Sequence, residues 1–207
     1  MRWATRHYDD ILLALWQHLL MVGTALLIAF VISLFLGIIS SRRPRLYALV
    51  LTVTGMIFSV PGLALFALLT PWFGIGMLPA IVGLTAYALM ILTRNIASGF
   101  HAIPLDVRDA AQGMGYGKWR NLREVELPLA LPFIISGLRI ATTTLIGIAT
   151  IAAYINAGGL GAIILAGLDQ RYPEKIFIGG GLTSLLAIGA DLLFLRLQRR
   201  LVQRRSR

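Results

Sequence analysis

The chain has 207 residues, of which 57% are hydrophobic and only 14% charged, with a mean hydropathy of +0.80. Water-soluble domains carry about a quarter charged residues, so this composition excludes an ordinary soluble fold and points to one compact membrane domain. The absence of cysteine excludes disulfides and thiolate metal sites, and the placement of the +10 net charge argues against a nucleic-acid partner.

Residues 1–18 are read as an external N-terminal segment. Its stretch "HYDDILLALWQH" (7–18) is amphipathic at helical spacing, with Ile11, Leu12, Leu15 and Trp16 able to lie against a membrane. A span needs about 20 apolar residues to cross a core of about 30 Å. Five such runs follow, over 19–41, 46–69, 79–97, 128–150 and 176–195. The first is too long for the apolar core of a signal peptide, and its arginines follow rather than precede it. "SRRPRL" (41–46) closes it with three arginines and a helix-stopping proline. "TPWFGIGMLP" (70–79) is a turn with two prolines, two glycines and an interfacial Trp72. A polar interlude occupies 98–127. Residues 153–168 are short for a span and rich in glycine, so a re-entrant or interfacial helix is expected there. The basic tail is 196–207.

Charge sets the orientation. Three arginines in 42–45, five basic residues from Arg94 to Arg123 and six arginines in the tail make 14 of the 19 basic residues. All fall on one face if five spans alternate. The positive-inside rule makes that face cytoplasmic, with the N-terminus outside and the interlude inside.

The chemistry of most enzymes is missing. "GMGYGK" (113–118) lacks the P-loop register, since Gln112 stands where the first glycine belongs and Trp119 follows Lys118. No HExxH, paired acids or Ser-His arrangement occurs. Arg139 and Asp191 are the ionisable residues clearly inside spans. Such residues are functional candidates, but structural pairing is the simpler reading: Asp191 with Arg196, and Arg139 snorkelling inward or meeting a neighbouring subunit. Carriers driven by protons or sodium hold carboxylates or broken helices at mid-membrane. None is evident, so the domain needs an external motor.

The interlude is the expected contact with that motor. Asp106 can cap a helix starting at Val107, Ala110 and Ala111 leave a low-relief surface, and Gly113 and Gly115 end the helix. A second piece, Lys118–Glu126, then leads into the fourth span.

Within this stretch, Asp109-Ala110-Ala111, three residues, Gly115, nine residues and Val125-Glu126-Leu127-Pro128 resemble the EAA signature of binding-protein-dependent ABC importer permeases. That signature reads Glu-Ala-Ala, Gly and Ile-x-Leu-Pro at the same spacing; here Asp109 replaces Glu and Val125 replaces Ile. The Pro61–Ala64 and Gly74–Ala80 stretches are similar to elements of the glycine betaine, carnitine and choline branch. "NAGGLG" (156–161) is similar to a segment shared with methionine permeases.

The resemblance implies an all-α polytopic protein of about five transmembrane helices with the type I ABC permease fold, in the inner membrane. Its domain would span 19–195, with a cytoplasmic coupling loop at 98–127. It implies a pathway subunit rather than an enzyme, with no cofactor of its own, because ATP binds a partner ATPase subunit. The other implied partners are a second permease subunit, identical or not, and an extracytoplasmic solute-binding protein. The implied solute is an osmoprotectant of the betaine type, with methionine or another small amine-bearing solute as the alternative. Asp109, Ala110, Ala111, Gly115, Leu127 and Pro128 would form the coupling loop. Pro61, Asn156, Gly158, Gly159 and Gly161 are pathway or gate candidates, with the three glycines near an external closure between permeases.

The charge asymmetry predicts that a reporter at Ser206 is cytoplasmic and one at Ile75 external. Accessibility labelling that puts both on one side would rule out five alternating spans.

Overall fold

Proline and glycine decide where the apolar helices of this chain stop and bend. A computed structural model describes residues 2–203, with side chains over 3–200; Ser206 and the last arginines of the tail lie outside the described residues. The helices are α1 (Arg2–Arg6), α2 (Tyr8–Ser41), α3 (Pro44–Ser59), α4 (Gly62–Phe73), α5 (Met77–His101), α6 (Leu105–Gly113), α7 (Lys118–Asn121), α8 (Leu127–Ala149), α9 (Leu160–Asp169) and α10 (Pro173–Gln203). A π-helical turn, Leu122–Glu126, joins α7 to α8, and a 3-10 turn, Ile151–Ile155, follows α8. Among the described residues no strand occurs.

Four helices are long and apolar enough to cross a membrane: α2, α5, the run from α7 through α8, and α10. The expected second span, 46–69, is a bent pair instead. Helices α3 and α4 meet at 98°, so five spans result only if that pair counts as one. Pro61 causes the break. It has no N–H to continue the ladder and forces Val60 into an extended conformation (φ −68°, ψ 131°). The Val60 carbonyl thus loses its helical donor, and the Tyr87 hydroxyl of α5 donates to it at 2.6 Å.

The expected separate surface segment over 1–18 is not formed. Helix α2 runs unbroken from Tyr8 through 34 residues, about 50 Å at 1.5 Å per residue, which exceeds a core of about 30 Å. Residues 8–18 are thus its outer end, with Leu12 and Trp16 exposed but Ala14 and His18 buried. The small α1 folds back on the start of α10, where the Trp3 amide donates to Glu174 Oε1 at 3.1 Å.

The core forms where α5 packs between α2 and α8. Buried positions on α2 recur every four residues: Met21, Ala25, Ala29, Ser33 and Gly37. Four of these five are small, which lets backbones approach without a hydrophobic drive between helices. At Gly37 an added Cβ would lie 2.5 Å from Ile96 of α5; at Gly137 of α8 it would lie 2.7 Å from Asn95. Helix α9 is ten residues long, about 15 Å, too short to span, and it packs against α10.

Arg139 and Asp191 pair with each other, so Asp191 does not take Arg196 as its partner. The guanidinium donates to both carboxylate oxygens, Nη2 to Oδ2 at 3.0 Å. Gln198 also donates to the Pro132 carbonyl. Each pairing is seven residues from the other along both helices, so α8 and α10 lie antiparallel in one register. Replacing Asp191 by Leu alone leaves a lone charge within the membrane and is expected to lower the unfolding temperature by several degrees. The double change Arg139→Leu/Asp191→Leu should recover most of that. Thermal unfolding of the purified protein checks this; a double variant no more stable than the single would show that the pair does not link the helices.

Candidate functional site

The polar interlude folds as a short helix standing on a charged joint. Helix α6 begins one turn's edge earlier than expected, at Leu105 with Pro104 before it, and no side chain caps it. Asp106 therefore sits in the first turn, where the helix dipole favours a negative charge, instead of capping from outside. Gly115 ends the helix as expected, with a left-handed φ of +80°. Its amide donates to Gln112, and the Tyr116 amide to Ala111, closing the paired turn of a Schellman cap. Gly113 does not share that conformation; the residue after it, Met114, has φ −76°.

The helix has two faces. Val107 and Ala111 point inward, Val107 against the core and Ala111 with 1% exposure. Ala111 therefore offers no surface to another subunit, contrary to the sequence reading. Asp109, Ala110 and Gln112 point outward, flanked by Leu105 and Met114, each more than two-thirds exposed.

What holds the helix is a buried carboxylate that sequence reasoning passed over as the variable position of its motif. Glu126 is 4% exposed. It accepts a hydrogen bond from Arg42 Nη2 at 2.8 Å and lies 3.6 Å from Arg108 Nε. Arg108 also donates through Nη2 to the Phe100 carbonyl at the end of α5. One acid thereby joins the ends of α2, α5 and α8 to α6. The sequence signal for this joint is the arginine run at 42–45 together with the second of two acids, Glu126, directly before Leu-Pro.

The local backbone follows from Pro128. It has no N–H for the Glu124 carbonyl, and its ring would crowd that oxygen in a regular helix. The turn before it widens, and the Leu127 amide bonds to Leu122 five residues back. Such π-turns interrupt helices at functional positions. Leu127 and Pro128 thus lie at the hinge between joint and span. On the exposed side, Arg120 bonds Glu124 at 2.9 Å and covers the Tyr116 ring at 4.2 Å, closing the loop on itself.

The gate candidates lie at the other end of the molecule, around the 3-10 turn. Pro61 is exposed at the α3–α4 break, and the next residue, Gly62, abuts Ile148 and Ile151. Asn156 is exposed and left-handed (φ 60°), with its carbonyl facing Gly76. The glycines do permit close approach, but within the chain. The Gly159 amide donates to Gln17 Oε1 at 3.0 Å, and Gly158 also packs on Gln17. A Cβ at Gly161 would overlap the Thr150 carbonyl. His18, expected at the outer edge, is fully buried, its Nε2 hydrogen-bonded to the Ile146 carbonyl at 3.1 Å. That carbonyl is free because the Thr150 amide turns to Gly147 as α8 tightens into the 3-10 turn. No group of three or more metal-ligating side chains occurs among the described residues.

Comparison with known proteins fits this architecture. Residues 29–207 match the model of the family described as the binding-protein-dependent transport system inner membrane component. The chain belongs to that family. It is 38% identical over 187 residues to the osmoprotectant import permease protein OsmW of Salmonella typhimurium, covering 88% of this chain and 87% of that one. It is 34% identical to the glycine betaine/carnitine/choline transport system permease protein OpuCB of Bacillus subtilis, covering 84% and 81%. In three dimensions it is similar to a chain of the inward-facing MetNI methionine ABC transporter, with a TM-score of 0.85 and 25% identity over 95% of this chain and 98% of that one. The protein is a multi-pass inner-membrane permease of the type I ABC importer fold.

The joint has a measurable consequence. Glu126→Ala takes the hydrogen-bond acceptor from Arg42 and the ion-pair partner from Arg108, which keeps its bond to the Phe100 carbonyl, while removing nothing from the spans. Amide exchange over 105–113 is expected to quicken by roughly fivefold, as for a lost ion pair of about 1 kcal/mol, with α8 unchanged. Unaltered exchange in α6 would show that other contacts hold it.

Proposed function

We propose that this chain is the pathway subunit of an ATP-driven importer for a small osmoprotectant of the glycine betaine, carnitine or choline type. The observation carrying this reading is likeness to permeases named for those solutes at 32–38% identity over most of the chain, against 25% for the methionine transporter. ATP binds a separate ATPase subunit, and this chain carries no cofactor. A second permease subunit completes the pathway, and an extracytoplasmic binding protein delivers the solute.

Helix α6 is the coupling element. Its outer face, with Asp109, Ala110, Leu105 and Met114, seats on the ATPase, and its inner face bears on the Glu126 joint. Movement of the ATPase displaces α6; Arg108 and Glu126 carry that displacement to α8, and Arg42 carries it to α2. Gly115 shapes the turn that presents this face. The outer end of the same α8 runs into the 3-10 turn, so the Asn156–Gly161 segment follows α8 and gates the external side.

Uptake by the whole complex in proteoliposomes tests both parts. Betaine, carnitine or choline should be accumulated on ATP addition, and uptake of methionine alone would overturn the solute assignment. Ala110→Trp is expected to reduce uptake at least tenfold without loss of membrane insertion, because it places bulk on the exposed face, whereas Ala111→Trp also disturbs internal packing. Normal uptake with Ala110→Trp would remove α6 from the ATPase contact.

A further inference from the structure

Two shallow grooves flank the turn between α2 and α3 at the cytoplasmic membrane surface. The first, of about 540 Å³, has a floor of Ile38, Ile39 and Leu122 and a rim of Arg42, Arg43 and Lys118, with Trp119 at its side. The second, of about 650 Å³, shares Arg42 and Arg43 and adds Arg45 above Leu46 and Leu49. Neither is lined by an acid. Arg42 leans on Glu126, but Arg43, Arg45 and Lys118 have no carboxylate within ion-pair distance among the described residues.

The depth of this pair of grooves is fixed by the helix that forms it. Ile38 and Ile39 belong to the last apolar turn of α2, and Arg42 follows at once. The floor is therefore at the level of acyl chains and the rim at the level of headgroups. Trp119 is 73% exposed beside Lys118, the placement an indole takes at a membrane–water boundary. A soluble partner can reach the cations but not an apolar floor at acyl-chain depth. Cations over an apolar floor at this depth match a phosphate ester joined to a hydrocarbon chain.

We propose that the turn Arg42–Arg43 and Lys118 bind one anionic phospholipid, its phosphate held by the three cations and its chains lying on the two apolar floors. The bound lipid bridges α2 and α3 to α7, and so braces the loop that carries α6 beside the Glu126 joint. This inference does not depend on which solute is carried.

The test uses the intact complex, purified in detergent and titrated with dioleoyl phosphatidylglycerol or dioleoyl phosphatidylcholine, with bound lipid counted by native mass spectrometry. The wild type should retain phosphatidylglycerol and not phosphatidylcholine. Arg43→Gln/Lys118→Gln should weaken that retention by roughly thirtyfold, given the usual contribution of two basic residues near an anionic lipid surface. Arg199→Gln/Arg200→Gln, which removes the same charge from the C-terminal end of α10, should bind as the wild type does. The proposal is overturned if the groove variant keeps its phosphatidylglycerol, if the α10 variant loses as much, or if both lipids are retained equally. It is also overturned if the groove variant sheds the ATPase subunit while its lipid count is unchanged, which would make the rim a protein contact.

Discussion

Inside a bilayer a backbone carbonyl that leaves the helical ladder must find another donor, because no water is there to supply one. Two irregularities of this chain meet that demand with a side chain, and a third meets it with its own backbone. At the Pro61 break the Val60 carbonyl takes the Tyr87 hydroxyl. Where α8 tightens into a 3-10 turn, the Ile146 carbonyl takes the His18 ring. Ahead of Pro128 the helix widens by one residue, so that the Leu127 amide reaches back to Leu122. The break at Pro61 is thus completed by a side chain of α5, and the tightening of α8 by one of α2.

The same economy governs how the helices are held together. Lipid is as apolar as a leucine side chain, so burial alone gives little attraction between spans, and contact depends on close packing and polar links. Small residues recur along α2, while Gly37 and Gly137 bring α2 and α8 against α5. Polar links then tie the ends. Glu126 gathers α2, α5, α6 and α8 on the cytoplasmic side, and Gln17 and His18 fasten the glycine turn and α8 on the outer side. Helix α5 lies between the two fastenings with most of its inward face buried. Both α2 and α8 reach the two fastenings, and α8 differs from α2 in its proline-widened base.

Much of the fold was legible because membrane composition restricts the options. Apolar run length and arginine placement located the long helices and the polar interlude, and glycine content identified 153–168 as too short to cross. The EAA-like spacing located α6 and its closing turn at Gly115. What was not legible depends on direction and distance. Whether Ala110 or Ala111 faces outward turns on a rotation of about 100° per residue, which a motif does not fix. The pairing of Arg139 with Asp191 requires knowing that α8 and α10 are neighbours in one register. The burial of Glu126 requires knowing that three helix ends converge on it. Pro61 was noticed as part of a motif, but the right-angled bend it makes needs the Tyr87 hydroxyl to be affordable, and that partner is 27 residues away in sequence.

The antiparallel register of α8 and α10 also bears on how the chain is made. Arg139 and Asp191 are 52 residues apart, and the intervening chain includes the 3-10 turn and α9. At a synthesis rate of about 5–20 residues per second, Arg139 precedes its counter-ion by roughly 3–10 s. Throughout that interval the nascent protein carries a guanidinium in a span whose cytoplasmic end is already anchored by arginines. Its long side chain can wait near the cytoplasmic headgroups; when α10 arrives, Asp191 gives it a reason to stay deeper. This step is thus self-proofreading: α10 displaced along α8 by one turn would find neither Arg139 nor Pro132 at its level.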